Sequence, residues 1–265
     1  MYKWFIRILS KVPGAGPVLS FLFKQKSGAP GCDILDLNLK NQVGLDSGMD
    51  DTGDFSKILY GTGVSFSTIG PIHSGNVTKA ISRIIANRDY RKRRMVAVTL
   101  GSSSYGDNDD NILKEYVRTF SLVYDFADLF FIDFSRRDTD PAIIRSVTSA
   151  ILETRFTYEE YKPIIISTGK TLEEPEIQSL VDFCRMNGAD AVDVWGPQYV
   201  KLVHEYSGGR FPVFGHGGID SPRKAAEFID NGAAAVILRE EIATHGLSYP
   251  GKIINYLTIN NQNTI

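Results

Sequence analysis

Short apolar runs rich in β-branched residues recur along the chain, and longer stretches with apolar positions three and four apart follow most of them. A strand buried on both faces reads as a continuous apolar run, whereas a helix packed against it shows only one apolar stripe. On that basis strands are predicted at Val43–Ser47, Val64–Ile69, Met95–Leu100, Leu129–Phe134, Pro163–Ser167, Ala191–Val194, Pro212–Gly215 and Ala235–Leu238. Helices are clearest at Asp109–Tyr124, Pro141–Arg155, Glu173–Asn187 and Ser221–Asn231. Within Glu173–Asn187 the residues Ile177, Leu180, Val181 and Cys184 keep helical spacing. Strands alternating with helices imply a parallel sheet, and about eight of them imply closure into a (β/α)8 TIM barrel, an α/β fold. The barrel is assigned to residues 33–257, and the mostly polar stretch 258–265 reads as a frayed tail.

The first 32 residues depart from this rhythm. Lys3, Arg7, Lys11, Lys24 and Lys26 are their only charges, interleaved with Trp4, Phe5, Ile6, Ile8, Leu9, Val12, Leu19, Phe21, Leu22 and Phe23. Neither apolar run approaches the roughly 20 residues that a membrane span needs. Two short helices broken at Pro13-Gly14-Ala15-Gly16-Pro17 fit better, giving an N-terminal helical extension over residues 1–32. Two readings of this arm stay open. Residues 1–26 lie on an anionic membrane surface, or the arm packs on the barrel or on a partner chain.

Composition narrows the class. The chain has 265 residues, 43% of them hydrophobic, which suits one large domain. A net charge of −2 gives no argument for nucleic acid. Cys32 and Cys184 are far apart and have no metal-ligand spacing, so thiols in a reducing, cytoplasmic compartment are expected, with any membrane contact peripheral and on the inner face.

In such barrels the chemistry sits where strands end and loops begin. The stretch Phe214-Gly-His-Gly-Gly-Ile-Asp-Ser221 reads as strand, Gly-rich turn and helix start, with Asp220 or Ser221 as N-cap. Gly217 and Gly218 let the backbone approach a phosphate-bearing small molecule; the alternative is a tight turn that needs small residues. Other strand ends bring Gly48, Asp50, His73, Thr99, Asp133, Asp193 and Arg239.

Two stretches resemble the membrane-associated, quinone-dependent dihydroorotate dehydrogenases. One runs from Leu39 to Asp54 and includes Gly44-Leu-Asp-Ser-Gly-Met-Asp50; the other is the Gly217-Gly218-Ile219 turn with Gly232-Ala-Ala-Ala-Val236 after it. The resemblance implies a barrel binding FMN, electron transfer to quinone, and flavin contacts at Gly48, Thr99, Gly217, Gly218 and Arg239. It also implies a membrane-contacting N-terminal extension.

The same alignment places other residues where the family's chemistry needs specific ones. Arg136 stands at the position of the base, and a guanidinium accepts no proton. Asp133 and Asp138 replace two Asn residues, and Asp51 and Ser167 replace two Lys residues. Arg239, Glu240 and Glu241 stand where Tyr and Ser or Thr flank the phosphate. Three readings follow. The substitutions favour a divergent barrel that does not oxidise dihydroorotate, has lost or weakened FMN binding, and acts as a binding or interaction protein. The second is an FMN-dependent oxidoreductase of pyrimidine biosynthesis with altered residues, in which His73, His216 or Asp133 supplies the base. The third is a carboxylate- or metal-dependent enzyme, with Asp46, Asp50, Asp133 and Asp193 as oxygen ligands for a cation such as Mg²⁺.

Overall fold

The computed structural model describes residues 32–87, 95–103, 108–134, 140–169, 173–239 and 241–262, together with Ile6, Ile8, Leu9, Val12, Gly14, Ala15, Val18 and Phe21. An antiparallel hairpin opens this part, with β1 (Cys32–Ile34) paired to β2 (Leu37–Leu39). Leu35 and Asp36 at its tip have φ of 57° and 60°, so both turn residues are left-handed, as a two-residue hairpin requires.

Eight parallel strands follow: β3 (Val43–Leu45), β4 (Phe66–Ile72), β5 (Ala97–Leu100), β6 (Leu129–Asp133), β7 (Ile164–Ser167), β8 (Ala191–Trp195), β9 (Val213–His216) and β10 (Ala235–Leu238). They pair in sequence order, and β10 closes the barrel against β3. Between successive strands run α1 (Ser56–Tyr60), α2 (Val77–Asn87), α3 (Asp109–Val123), α4 (Pro141–Arg155), α5 (Glu174–Asn187), α6 (Pro197–Tyr206) and α7 (Pro222–Asp230). After β10 come α8 (Glu241–His245) and α9 (Tyr249–Gln262). The expected (β/α)8 architecture is therefore present. Residues 258–262, expected as part of a polar tail, are instead the last turns of α9, which Thr258 supports by donating its hydroxyl to the Ile254 carbonyl at 2.8 Å.

Two apolar layers explain why the barrel closes. Outward residues such as Ile132, Ile166, Val194 and Val236 meet the apolar stripes of the helices. Inward residues fill the interior around Phe66, Phe131 and Phe214, whose ring centroids lie 6.0–6.4 Å apart. Gly44 makes room for this cluster, since a Cβ there would lie 2.2 Å from the Phe66 ring. Ile34 and Leu39 of the hairpin join the same cluster and plug the end of the barrel where the strands begin. In the arm, Ile6 and Ala15 are buried against the core, while Ile8, Val12, Val18 and Phe21 are exposed.

Candidate functional site

Side chains alternate along a barrel strand, so the residue two positions beyond an inward apolar one also points inward, nearer the mouth. Applied to Gly44, Phe66, Ala97, Phe131, Ile165, Ala191, Phe214 and Ile237, this rule gives Asp46, Thr68, Thr99, Asp133, Ser167, Asp193, His216 and Arg239. Eight strands thus present a polar layer directly above an apolar core. Six of the eight side chains are buried, and Asp46 and Arg239 are partly so.

Charges within the layer answer one another. The Arg239 side chain lies with Nη2 3.6 Å from Asp193 Oδ2 and Nε 3.8 Å from Asp46 Oδ2. Burial works against its charge, but the carboxylates of Asp46, Asp193, Asp133 and Glu241 outweigh this and raise its pKa above the ordinary arginine value. Asp193 is the hub. It accepts a hydrogen bond from Ser167 Oγ at 2.9 Å, and its other oxygen meets His216 Nδ1 at 2.7 Å. With Asp193 ionised, Nδ1 carries the proton. His216 Nε2 is buried without a hydrogen-bond partner, and the ring stands edge-on to Trp195 at 5.3 Å. His216, expected inside the glycine turn, is instead the last residue of β9 and belongs to this layer.

Beside the layer, the glycine turn forms a cradle. Gly217 and Gly218 have φ of +87° and +69°, and the Trp195 ring lies over Gly217 so closely that a Cβ there would meet it at 2.4 Å. Ser221 is the N-cap of α7, its side chain accepting from Lys224 N–H at 3.2 Å. The Ile219 N–H donates to Glu241 Oε1 at 3.1 Å, and the Arg239 N–H donates to Glu241 Oε2 at 2.7 Å. The backbone donors next to the cradle therefore already hold an anion, and it is a side chain of this protein. In this arrangement the two N–H groups face a carboxylate of the chain itself rather than an FMN phosphate.

The remaining candidates have local roles. Gly48 sits in the turn Ser47–Met49, and its N–H donates at 3.3 Å to Asp46, the cap that follows β3; the strand ends at Leu45, two residues before the expected Ser47. Asp50 is not in the mouth layer. It accepts from Gly53 N–H at 2.8 Å and Phe55 N–H at 3.0 Å, and burial pushes its carboxyl up to about 7, with Asp54 and Asp51 adding to the rise. His73 follows β4 on a half-exposed loop, where its Nδ1 accepts from Gly75 N–H at 3.1 Å. Thr99 is buried in β5 with no hydrogen-bond partner for its hydroxyl. Of the expected cation ligands, Asp46, Asp133 and Asp193 share the layer with Arg239 and Asp50 stands apart; among the described residues no group of three or more His, Cys, Asp or Glu could hold a metal. Arg136, Ser135, Arg137, Asp138 and Glu240 lie outside the described residues.

One structural element at the rim had no signal in the sequence. Glu115 on α3 reaches the loops after β4 and β5. It accepts from Ser74 N–H and Oγ at 3.0 and 2.5 Å, from Ser102 Oγ at 2.5 Å, and from Ser103 N–H and Oγ at 3.0 and 2.6 Å. Burial opposes its charge, but these donors together hold its carboxyl well below the usual carboxylate range. The clasp ties two adjacent rim loops to one helix.

No protein-family model matches the chain. It is similar to the dihydroorotate dehydrogenase (quinone) of Hamiltonella defensa, 23% identical over 321 aligned positions that cover 97% of this chain and 95% of that one. The enzyme of the same name from Proteus mirabilis is 23% identical, over 89% of this chain and 90% of its own. Among solved structures, ligand-free DHODH from Eimeria tenella superposes with a TM-score of 0.81 at 16% identity, covering 94% of each chain.

Proposed function

On this dihydroorotate-dehydrogenase-like barrel, we propose a protein that neither holds FMN nor oxidises dihydroorotate, and that acts by binding. The observation that carries this is the partly buried Arg239 guanidinium between Asp46 and Asp193. Hydride removal needs a flavin held over the strand ends and a base that accepts a proton. Here the strand ends carry three carboxylates, Asp46, Asp133 and Asp193, with one guanidinium lying against two of them. The base position indicated by the resemblance is Arg136. His216 is committed to Asp193 through Nδ1, with its other ring nitrogen buried.

The test is the visible absorbance of freshly purified protein, repeated after adding FMN and gel filtration, together with turnover of dihydroorotate with a quinone acceptor. The expected protein is colourless, retains no FMN and is inactive. Retained flavin with measurable turnover would overturn the proposal.

The arm supplies the second part of the reading, contact of residues 1–26 with an anionic membrane surface. Among the described residues no helix is long and apolar enough to cross a membrane. Ile8, Val12, Val18 and Phe21 are nevertheless 43%, 50%, 56% and 76% exposed, and five basic residues lie among residues 1–26. Exposed apolar side chains among cations suit lipid headgroups. Each basic residue near such a surface contributes about 1 kcal/mol. Replacing Lys3, Arg7 and Lys11 by Gln should therefore weaken partitioning onto anionic vesicles roughly a hundredfold. Equal sedimentation of both proteins with anionic vesicles, or equal binding to neutral ones, would refute the lipid contact.

A further inference from the structure

The geometry points to Glu241 as a built-in anion: its carboxylate occupies a phosphate seat, and that seat takes an external phosphate group once the carboxylate is removed. The inference rests on the reading that the unaltered chain does not hold FMN, and it explains half of that reading in atomic terms.

The seat has donors from two loops. Ile219 lies in the loop after β9 and Arg239 in the loop after β10, and their N–H groups reach separate oxygens of one carboxylate. Converging backbone N–H groups are a preformed anion site, because they need no side-chain ordering when the anion arrives. The Ile219 backbone is held from its other side, since Tyr249 on α9 donates its hydroxyl to the Ile219 carbonyl at 2.8 Å. Gly218 adds room, because a Cβ built on it meets nothing within 4 Å. The charge requirement is also local. Glu241 is one of the carboxylates that raise the pKa of Arg239, so removing it withdraws a negative charge from the surroundings of that guanidinium. An inorganic phosphate, or a phosphate monoester whose organic part stays outside the charged layer, restores both the charge and the two acceptors.

A free carboxylate side chain would be a weak competitor, but Glu241 is two residues from one of its own donors. Its effective concentration at the seat is that of a short tether, in the millimolar range or above. An external phosphate at ordinary concentrations therefore loses to it.

The experiment uses the full chain in three forms: unaltered, Glu241→Ala and Glu241→Gln. Each is titrated with inorganic phosphate at constant ionic strength, and the thermal midpoint is followed. A ligand that binds only the folded state raises this midpoint with concentration. Glu241→Ala should gain phosphate-dependent stabilisation corresponding to at least about tenfold tighter binding than the unaltered chain. Glu241→Gln, which keeps the side-chain size and loses the charge, should gain in the same direction and serves where the alanine variant does not fold. Riboflavin, which lacks the phosphate, should shift none of the three. Folded variants that respond to phosphate no more than the unaltered chain would overturn the proposal, as would equal stabilisation of all three. FMN retained by the unaltered chain would instead overturn the functional reading, so the two failures are told apart.

Discussion

Replacing Arg239 by leucine should destabilise the protein by about 3–5 kcal/mol at neutral pH, the usual cost of removing one partner from a buried ion pair. The substitution leaves Asp46 and Asp193 facing each other across the space the guanidinium filled, with Asp133 contributing charge to the same layer. Arg239→Lys keeps the charge but not the planar fork, and should fall between the two. Urea unfolding at neutral pH measures this. A difference within about 0.5 kcal/mol at neutral pH, the range of ordinary surface substitutions, would show that the mouth is not held by this ion network.

That network also shows what the sequence can and cannot announce. The barrel strands were legible because burial on both faces leaves continuous apolar runs, as in Ile164–Ile166 and Ala235–Leu238. The hairpin was not, because Leu35 and Asp36 adopt left-handed backbone without the Gly or Asn that signals such a turn, and three-residue strands show no period. At the site, Asp46, Asp133, Asp193 and Arg239 were legible as strand-end residues, since the alternation that fixes the strands also fixes which side chains reach the mouth. What they do there was not legible. Four carboxylates suggested a cation, but closure of β10 against β3 brings Arg239 beside Asp46, and Asp50 turns into its own loop. Glu241 read only as a carboxylate standing where a neutral side chain flanks the phosphate in the family it resembles. Only the pairing of β10 with β9 shows that it reaches back 22 residues to accept from Ile219. The Glu115 clasp spans 41 residues to Ser74, and no local pattern encodes such a contact.

Arg155→Leu should cost a similar amount, about 3–5 kcal/mol, for the same reason at the opposite end of the barrel. Arg155 is 4% exposed at the end of α4. Its Nη1 donates to Asp190 Oδ2 at 2.6 Å and its Nη2 to the Gly188 carbonyl at 2.6 Å. Asp190 also accepts from the Ile164 N–H at 2.7 Å and from the Tyr161 hydroxyl, so one carboxylate joins the start of β7 to the approach to β8. The guanidinium further lies 4.6 Å from the Tyr161 ring centroid. Leucine would fill part of the volume but leave the Gly188 carbonyl without this donor and the Asp190 charge without its cation. The thermal midpoint should fall by on the order of 10 °C. A double-mutant cycle with Asp190→Leu separates the pair from simple loss of packing. If the ion pair is responsible, the double variant loses less than the sum of the singles. Strict additivity, or a single-variant loss within about 0.5 kcal/mol, would rule that out. Among the described residues Arg155 and Arg239 have no hydrogen-bond or ion-pair partner in common, so Arg155→Leu should add to Arg239→Leu and leave the phosphate response of Glu241→Ala unchanged. An Arg155 variant that altered that response would show that the two ends of the barrel are coupled.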